Sequence, residues 1–505
     1  MQGTGVSESA TAGAARGAEE RARLVGRAGV VGAGTLASRV LGLVRDMVIA
    51  AVFPLGATDA WWVAFTIPNA LRSLLGEGAV TSAVVPVLSE KLAKEGDAAA
   101  RSFFARVRGV SLVALAVVTV LGIVFAEPLT RLFAGGYAPA EFARTVALTR
   151  AVFPYIFFMG TAALGMAALN ANRRFAVAAF APALLNVAMV VFALLALYVG
   201  GGDRVQWLAW GALVGGLLQV VAQWPALHRI GYGGLPKFAL DPDVRKVLRR
   251  IAPLTFGIGI YYVDLVIARR FLSELGEGAQ SWYSWAMRLC DFPQGIFVMA
   301  LSTAALPSLS TLAARGERDE LAKTWAHGMG LAMFVAIPAS AALVAIGEPI
   351  VALLWQGGAI WTVAAVRQIV PAFYALGDTR TPVIVSALDL CAFIALAVML
   401  KGPMGHVGVS VAVAGSSAVQ MLLLLAGLRW RMGTIRGGDL ARSTSRTLLA
   451  SVAASVAGWG AARVAGGLGA MAAFAAVYLL AAWALRSPEL KEIGGALSRK
   501  VRPAR

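Results

Sequence analysis

Charge is scarce in this chain. Only 14% of its 505 residues are Asp, Glu, Lys or Arg, where a water-soluble domain carries about 25%. Histidine is limited to His228, His327 and His406, with no HExxH spacing, and the two cysteines, Cys290 and Cys391, form no CxxC. Neither a zinc site nor a vicinal redox pair can be assembled from sequence neighbours. A GxxxxGK[ST] loop is absent, which removes the usual cradle for nucleotide phosphates. No metal, no cofactor and no catalytic residue is expected, and the chain does not read as an enzyme. Both cysteines sit in apolar segments and are expected to pack there rather than to form a disulfide. The net charge of +18 raises the question of nucleic acid, but the placement of the charges answers it differently.

Apolar runs are what the chain has in abundance. Hydrophobic residues make up 59% of it, and mean hydropathy is +0.73. Residues 110–126 (VSLVALAVVTVLGIVFA) and 176–199 carry no charge, and about 20 such residues cross the hydrocarbon of a bilayer. Fourteen spans are expected, near 28–53, 59–88, 109–127, 147–169, 176–199, 206–227, 251–268, 281–311, 326–355, 360–376, 381–400, 405–428, 447–462 and 467–485. With the N-terminus in the cytoplasm, most Lys and Arg fall in cytoplasmic segments. Only Arg131, Arg144, Arg204, Arg269, Arg270, Lys401 and Arg463 fall on the opposite side. That asymmetry is the positive-inside pattern. It predicts a multi-pass protein with both termini cytoplasmic, and a basic face turned toward membrane lipids rather than nucleic acid.

The expected organisation is an all-α polytopic protein in two six-helix lobes plus two C-terminal helices. A disordered cytoplasmic tail covers 1–27, an N-lobe 28–228, a basic linker 229–250 and a C-lobe 251–429. The two added helices occupy 430–486 and face lipid, and a basic cytoplasmic tail covers 487–505. A signal peptide is not expected, because the first apolar stretch is long and interrupted by charge.

The two lobes read as a parallel repeat. "RDMVIA" at 45–50 resembles "VDLVIA" at 263–268, and "TSAVVPVLSEKLAKEG" at 81–96 resembles "STAALPSLSTLAARGE" at 302–317, matching Pro86 to Pro307. "ALNANRRFAVAAFAP" at 168–182 resembles "YALGDTRTPVIVSAL" at 374–388 more weakly, matching Asn172 to Asp378. Pro86 to Asn172 is 86 residues and Pro307 to Asp378 is 71, so the second half is 15 residues short, and its tenth span is shortened. Gly211 and Gly215 form a GxxxG that predicts close helix packing.

Against this background the charges within spans stand out. An Arg at mid-bilayer costs about 2.5–3.5 kcal/mol on insertion scales, so such residues normally face a bundle interior or a wet cavity. On the first span Arg39, Gly42 and Asp46 fall at i, i+3 and i+7, one stripe of a helix, with Arg45 beside it. The second span holds Asp59, Arg72 and Glu77, with Pro68 expected to break or kink it and Gly76 and Gly78 to loosen it. The eighth repeats the theme, with Arg288 and Asp291 at i, i+3 followed by Pro293 and Gly295. All four cations are Arg and none is Lys. Guanidinium binds phosphate bidentately and stays charged, so Arg39, Arg45, Arg72 and Arg288 are candidate ligands for a phosphate- or carboxylate-bearing substrate. Asp46, Asp59, Glu77 and Asp291 would support them. Pro68, Gly76, Gly78, Pro293 and Gly295 are candidate hinges. Asp264 and Asp389 are further intramembrane acids, for which pairing and cation or proton binding both stand open.

The segments "SRVLGLVRD", "TDAWWVAFTIPNALRSLLGEGAVTSAVVPVLSE", "FPYIFFMGTAALGMAALNANRRFAVAAFAPALLN", "MRLCDFPQGIFVMALSTAALPSLS" and "AFYALGDTRTP" together resemble the MurJ (MviN) family of bacterial lipid II flippases, in the MOP exporter superfamily. The resemblance covers about residues 30–430. It implies fourteen helices around a central cavity. It also implies that Arg39, Arg45, Arg72 and Arg288 match the family's cavity arginines, which engage the diphosphate of lipid II. The cargo would be the undecaprenyl-linked disaccharide-pentapeptide, moved from the cytoplasmic to the outer leaflet of the bacterial inner membrane by alternating access. Cell-wall synthesis enzymes are further candidate partners. The chain departs from the family pattern at Ser73, where many members carry a second Arg, and at Asp291, where Glu is common. Asparagines that some relatives carry in the eleventh span are absent, so sodium coupling is not implied. Two alternatives remain at this point: another MOP-type exporter of lipid-linked oligosaccharides or drugs, and a non-transporting scaffold for cell-wall enzymes.

Overall fold

The computed structural model describes residues 32–72, 78–198, 203–293, 299–345, 362–433 and 437–492. All regular structure among them is helical. The first helix, α1, runs over residues 32–52. It is followed by α2 (Leu55–Arg72), α3 (Gly78–Lys94), α4 (Gly96–Val124), α5 (Ala126–Ala134), α6 (Pro139–Val152), α7 (Tyr155–Ala171), α8 (Phe175–Tyr198) and α9 (Gln206–Arg229). Then come α10 (Pro242–Leu272), α11 (Ala279–Pro293), α12 (Met299–Ala314), α13 (Arg318–Ala345), α14 (Thr362–Ala375), α15 (Arg380–Met432) and α16 (Gly437–Ala484). Eight helical segments among the described residues are long and apolar enough to cross a membrane.

The described residues divide into two compact units. One runs to Thr130 and resumes over Pro139–Ile258; the other comprises Arg131–Ala138 and everything from Gly259 onward. In the first unit the tightest packing joins α8 to α9, and its cause is local. A Cβ on Gly215 would lie 2.8 Å from Leu185 Cα, and one on Gly211 would lie 3.0 Å from Phe192 Cβ. The GxxxG thus lets two backbones approach where any side chain would hold them apart.

The segment after α9 is pinned rather than slack. Lys237 N–H donates to Ala105 O at 2.9 Å, and Gly109 leaves room for the Lys237 backbone, which a Cβ would meet at 2.3 Å. Arg108, 7% exposed, donates to the carbonyls of Tyr232 and Gly234. Asp241 pairs with Arg106 and Asp243 with Lys91, both at 2.7 Å. Val244 and Val247 then enter the same apolar cluster as Phe103, Phe104 and Leu227. Basic residues that read as an orientation signal thus also tie the start of α10 to α3 and α4.

In the second unit α15 and α16 each contain one non-helical residue, Gly405 (φ 58°) and Gly466 (φ 64°). Gly466 falls in a gap expected between spans, and Gly405 at the first residue of an expected span. Glycine takes a positive φ without a Cβ penalty, so each long element is two apolar helices joined by one residue. α16 packs on α13 through Ala450, Ala454, Phe474 and Tyr478, and Tyr478 donates to Phe334 O at 2.6 Å. Its other face exposes Leu449, Val456, Leu480 and Trp483.

Helix ends give the repeat a backbone counterpart. α3, α7 and α9 are followed by residues of positive φ at Gly96, Arg173 and Gly231, and α12, α14 and α15 by Gly316, Gly377 and Gly433. The second pair corrects the register read from the sequence. Arg174 N–H bonds Leu169 O, and Asp378 N–H bonds Phe373 O, in the same closing turn. Arg173 therefore corresponds to Gly377, and Asp378 to Arg174 rather than to Asn172. Side-chain chemistry suggested one pairing, but the left-handed turn fixes another, two residues away.

One expectation is overturned. Cys391 is free and exposed rather than packed; Cys290 lies outside the described side chains. Of the break or kink expected at Pro68, the break is absent: α2 runs helically through it to Arg72 with Pro68 buried.

Candidate functional site

The first unit holds Arg39, Arg45, Asp46, Asp59 and Arg72; the second holds Arg288. Glu77, Gly76 and Gly295 lie outside the described residues, as do the side chains of Asp291 and Pro293 and the surroundings of Gly78.

On α1 the burial pattern follows the helical stripe. Val40 and Val44 are exposed, at 44% and 40%, while Gly42, Arg45, Asp46 and Ile49 turn inward. Arg45 is 4% exposed and Asp46 fully buried. The pair compensates itself: Arg45 Nε donates to Asp46 Oδ1 at 2.7 Å, and Nη2 lies 2.5 Å from the same oxygen. The remaining edge of the guanidinium is also used. Its Nη1 donates to Asn186 Oδ1 on α8 at 3.0 Å and lies 3.9 Å from Met189 Sδ. Asn186 in turn donates through Nδ2 to Ser38 O at 2.9 Å. Arg39, one residue after that carbonyl, is half-buried.

Sequence reasoning passed over Asn186, although a signal was there. It is the only side chain able to hydrogen-bond between Phe175 and Leu197. An amide in such a run normally has a partner on another helix.

On α2, Asp59 is fully buried beside Trp61 and Trp62. Arg72 is half-buried at the helix end and donates from Nε to Asn69 Oδ1 at 3.0 Å. On α11, Arg288 is likewise half-buried. Asp264 on α10 and Asp389 on α15 each keep one buried carboxylate oxygen with no hydrogen-bond partner. The four arginines therefore divide. Arg45 is closed off by a carboxylate and an amide, whereas Arg39, Arg72 and Arg288 keep part of their surface open.

Comparison with known proteins identifies the family. The family model described as lipid II flippase MurJ matches residues 49–369 and 359–480. A probable lipid II flippase MurJ from Bdellovibrio bacteriovorus is 33% identical over 462 residues, covering 86% of this chain and 87% of the relative. The lipid II flippase MurJ of Burkholderia cenocepacia is 34% identical over 433 residues, covering 79% and 82%. Among solved structures, a lipid II flippase MurJ in an inward closed conformation aligns with TM-score 0.71 at 20% identity, covering 90% of this chain and 97% of that one. An inward-facing multidrug-resistance MATE transporter of the MOP superfamily aligns at 0.65 and 14% identity, covering 79% and 96%. The fold is shared across both groups, but the sequence match selects one of them: the chain belongs to the lipid II flippase MurJ family.

Proposed function

We propose that this protein moves lipid II from the cytoplasmic to the outer leaflet of a bacterial inner membrane, as a carrier working by alternating access. The observation that carries the reading is the family match, which runs over nearly all the apolar chain with relatives named for this activity. The arginines give it a chemical basis. A diphosphate headgroup needs cations that stay charged in a poorly hydrated setting and that present paired donors. Arg39, Arg72 and Arg288, half-buried where Arg45 is buried, are the residues this reading assigns to that purpose. Arg45 engages cargo only by exchanging Asp46 for phosphate, so it contributes less to first capture. The full complement is fourteen spans with both termini cytoplasmic, and the undecaprenyl tail stays in lipid beside the exposed face of α16.

The test is complementation. Cells depleted of their own flippase and supplied with this chain are expected to regain lipid II in the outer leaflet, measured by its accessibility to an external reagent. Arg39→Ala and Arg288→Ala variants at normal abundance are expected to lose most of that accessibility. Drug export without restored lipid II supports the multidrug reading instead. Full activity in both arginine variants supports a scaffold.

A further inference from the structure

We infer that Asn186 is a positioning residue for cargo binding, one that sets the register of Arg39 and Arg45 on α1 from the neighbouring helix α8. The inference rests on the reading that the α1 arginines meet the diphosphate.

The geometry is specific. The Asn186 side chain is 6% exposed and uses both ends of its amide on one helix. Its oxygen accepts from Arg45 Nη1 at 3.0 Å, and its nitrogen donates to Ser38 O at 2.9 Å. Those two points lie seven residues apart, two turns of α1. Ser38 O belongs to the peptide that begins Arg39, so one side chain fixes the backbone at Arg39 and the guanidinium of Arg45 together. Gly42 sits between them, and a Cβ placed there would lie 3.7 Å from Asn186 Nδ2. The amide therefore lies flat across the glycine, where anything larger than alanine would displace it.

Only a neutral amide satisfies both contacts. A carboxylate would accept from Arg45 but could not donate to Ser38 O. It would also set a second negative charge beside a guanidinium that Asp46 already offsets. Rotating or sliding α1 by even part of a turn would break both hydrogen bonds at once. Polar groups withdrawn from water are costly to leave unmade. Asn186 thus holds Arg45 in place without cancelling its charge, and it presents Arg39 at a constant angle to the cargo.

The experiment uses the full chain in proteoliposomes, with fluorescent lipid II as the probe. Initial transfer rate against lipid II density separates half-saturation from maximal rate, and thermal unfolding monitors the fold. Asn186→Leu keeps the volume and drops both bonds; Asn186→Asp keeps the shape and drops one. Each is expected to raise half-saturation about tenfold, the worth of one hydrogen bond to a charged group. Asn186→Gln, which retains donor and acceptor, is expected to recover part of that loss. In combination with Arg39→Ala, Asn186→Leu is expected to add little further loss of affinity. A residue that merely packs would lower unfolding temperature or maximal rate while leaving half-saturation unchanged, and that result overturns the inference. So do losses that multiply fully in the double variant. If Arg39→Ala and Arg45→Ala leave half-saturation unchanged, the diphosphate reading itself falls and takes the positioning role with it. If Arg39→Ala weakens binding and the Asn186 variants do not, only the positioning role falls.

Discussion

Asp46 and Asp264 hold the same position in the matched segments "RDMVIA" and "VDLVIA", yet their surroundings differ. In the first unit the residue before the acid is Arg45, 4% exposed and bonded to Asp46 along one edge. In the second it is Val263, 44% exposed, and Asp264 keeps a buried oxygen without a hydrogen-bond partner. One copy closes its acid into an ion pair that ties α1 to α8. The other leaves its acid unsatisfied on one side, near Asp389, which is in the same condition. The two matched segments therefore treat their acids differently: in the first unit the charge is compensated within the fold, and in the second Asp264 and Asp389 each keep one buried oxygen without a hydrogen-bond partner. A buried ion pair is costly to break from one side, so this difference should show directly in stability.

The sharpest way to break the comparison is to remove each acid. Asp46→Asn leaves a buried guanidinium without its counter-charge and is expected to cost about 3–5 kcal/mol. Asp264→Asn breaks no ion pair with its neighbour and is expected to cost far less. Thermal unfolding in detergent compares the two, and equal losses would show that Arg45 does not set the difference. Replacing the pair together, Arg45→Met with Asp46→Leu, is expected to recover most of the Asp46→Asn loss, because no charge is then left buried alone. Lipid II transfer should remain impaired in that double variant.

A smaller effect separates the helix ends that the repeat brings into correspondence. Asp378 opens α15, accepting from Arg380 N–H at 3.1 Å and Thr381 N–H at 3.0 Å, with Arg431 Nη2 at 2.9 Å. The Thr381 N–H foremost, then its hydroxyl, Arg431 and the Arg380 N–H, hold the Asp378 carboxyl below its ordinary value of 3.8. A carboxyl lowered on folding stabilises fully above its unfolded value, near 3.9, and that contribution fades as pH falls through the lower folded value. Asp378→Ala is expected to cost about 1 kcal/mol at neutral pH, as for lost helix caps, with the difference from the parent shrinking below about pH 4. A pH-independent loss in unfolding scans would show that the carboxylate charge is not what matters. In the first unit Asn172, two residues before the position that corresponds to Asp378, closes α7 and donates to Ala168 O at 2.9 Å. Asn172→Ala is expected to cost about 0.5 kcal/mol, with no pH dependence over the same range.

Hydropathy made the helical membrane class legible, and the motifs made the family legible. The break near Gly466 and the close packing at Gly211 and Gly215 were also readable, because glycine leaves a local mark. The register at Gly377 was not, since the match of Asn172 to Asp378 compares side chains while the turn is made by the backbone. Asn186 was readable only as an isolated amide in an apolar run.

The sequence by itself determined that this chain crosses a membrane many times, that it belongs with the lipid II flippases, and which arginines deserve scrutiny. Composition and spacing are local, and a bilayer and a motif respond to them directly. Only the tertiary structure decided that Arg45 is closed by Asp46 and Asn186 while Arg39 keeps exposed surface. A charge's value depends on what lies within hydrogen-bond reach, and that partner came from a helix about 140 residues away, beyond anything spacing along the chain can express.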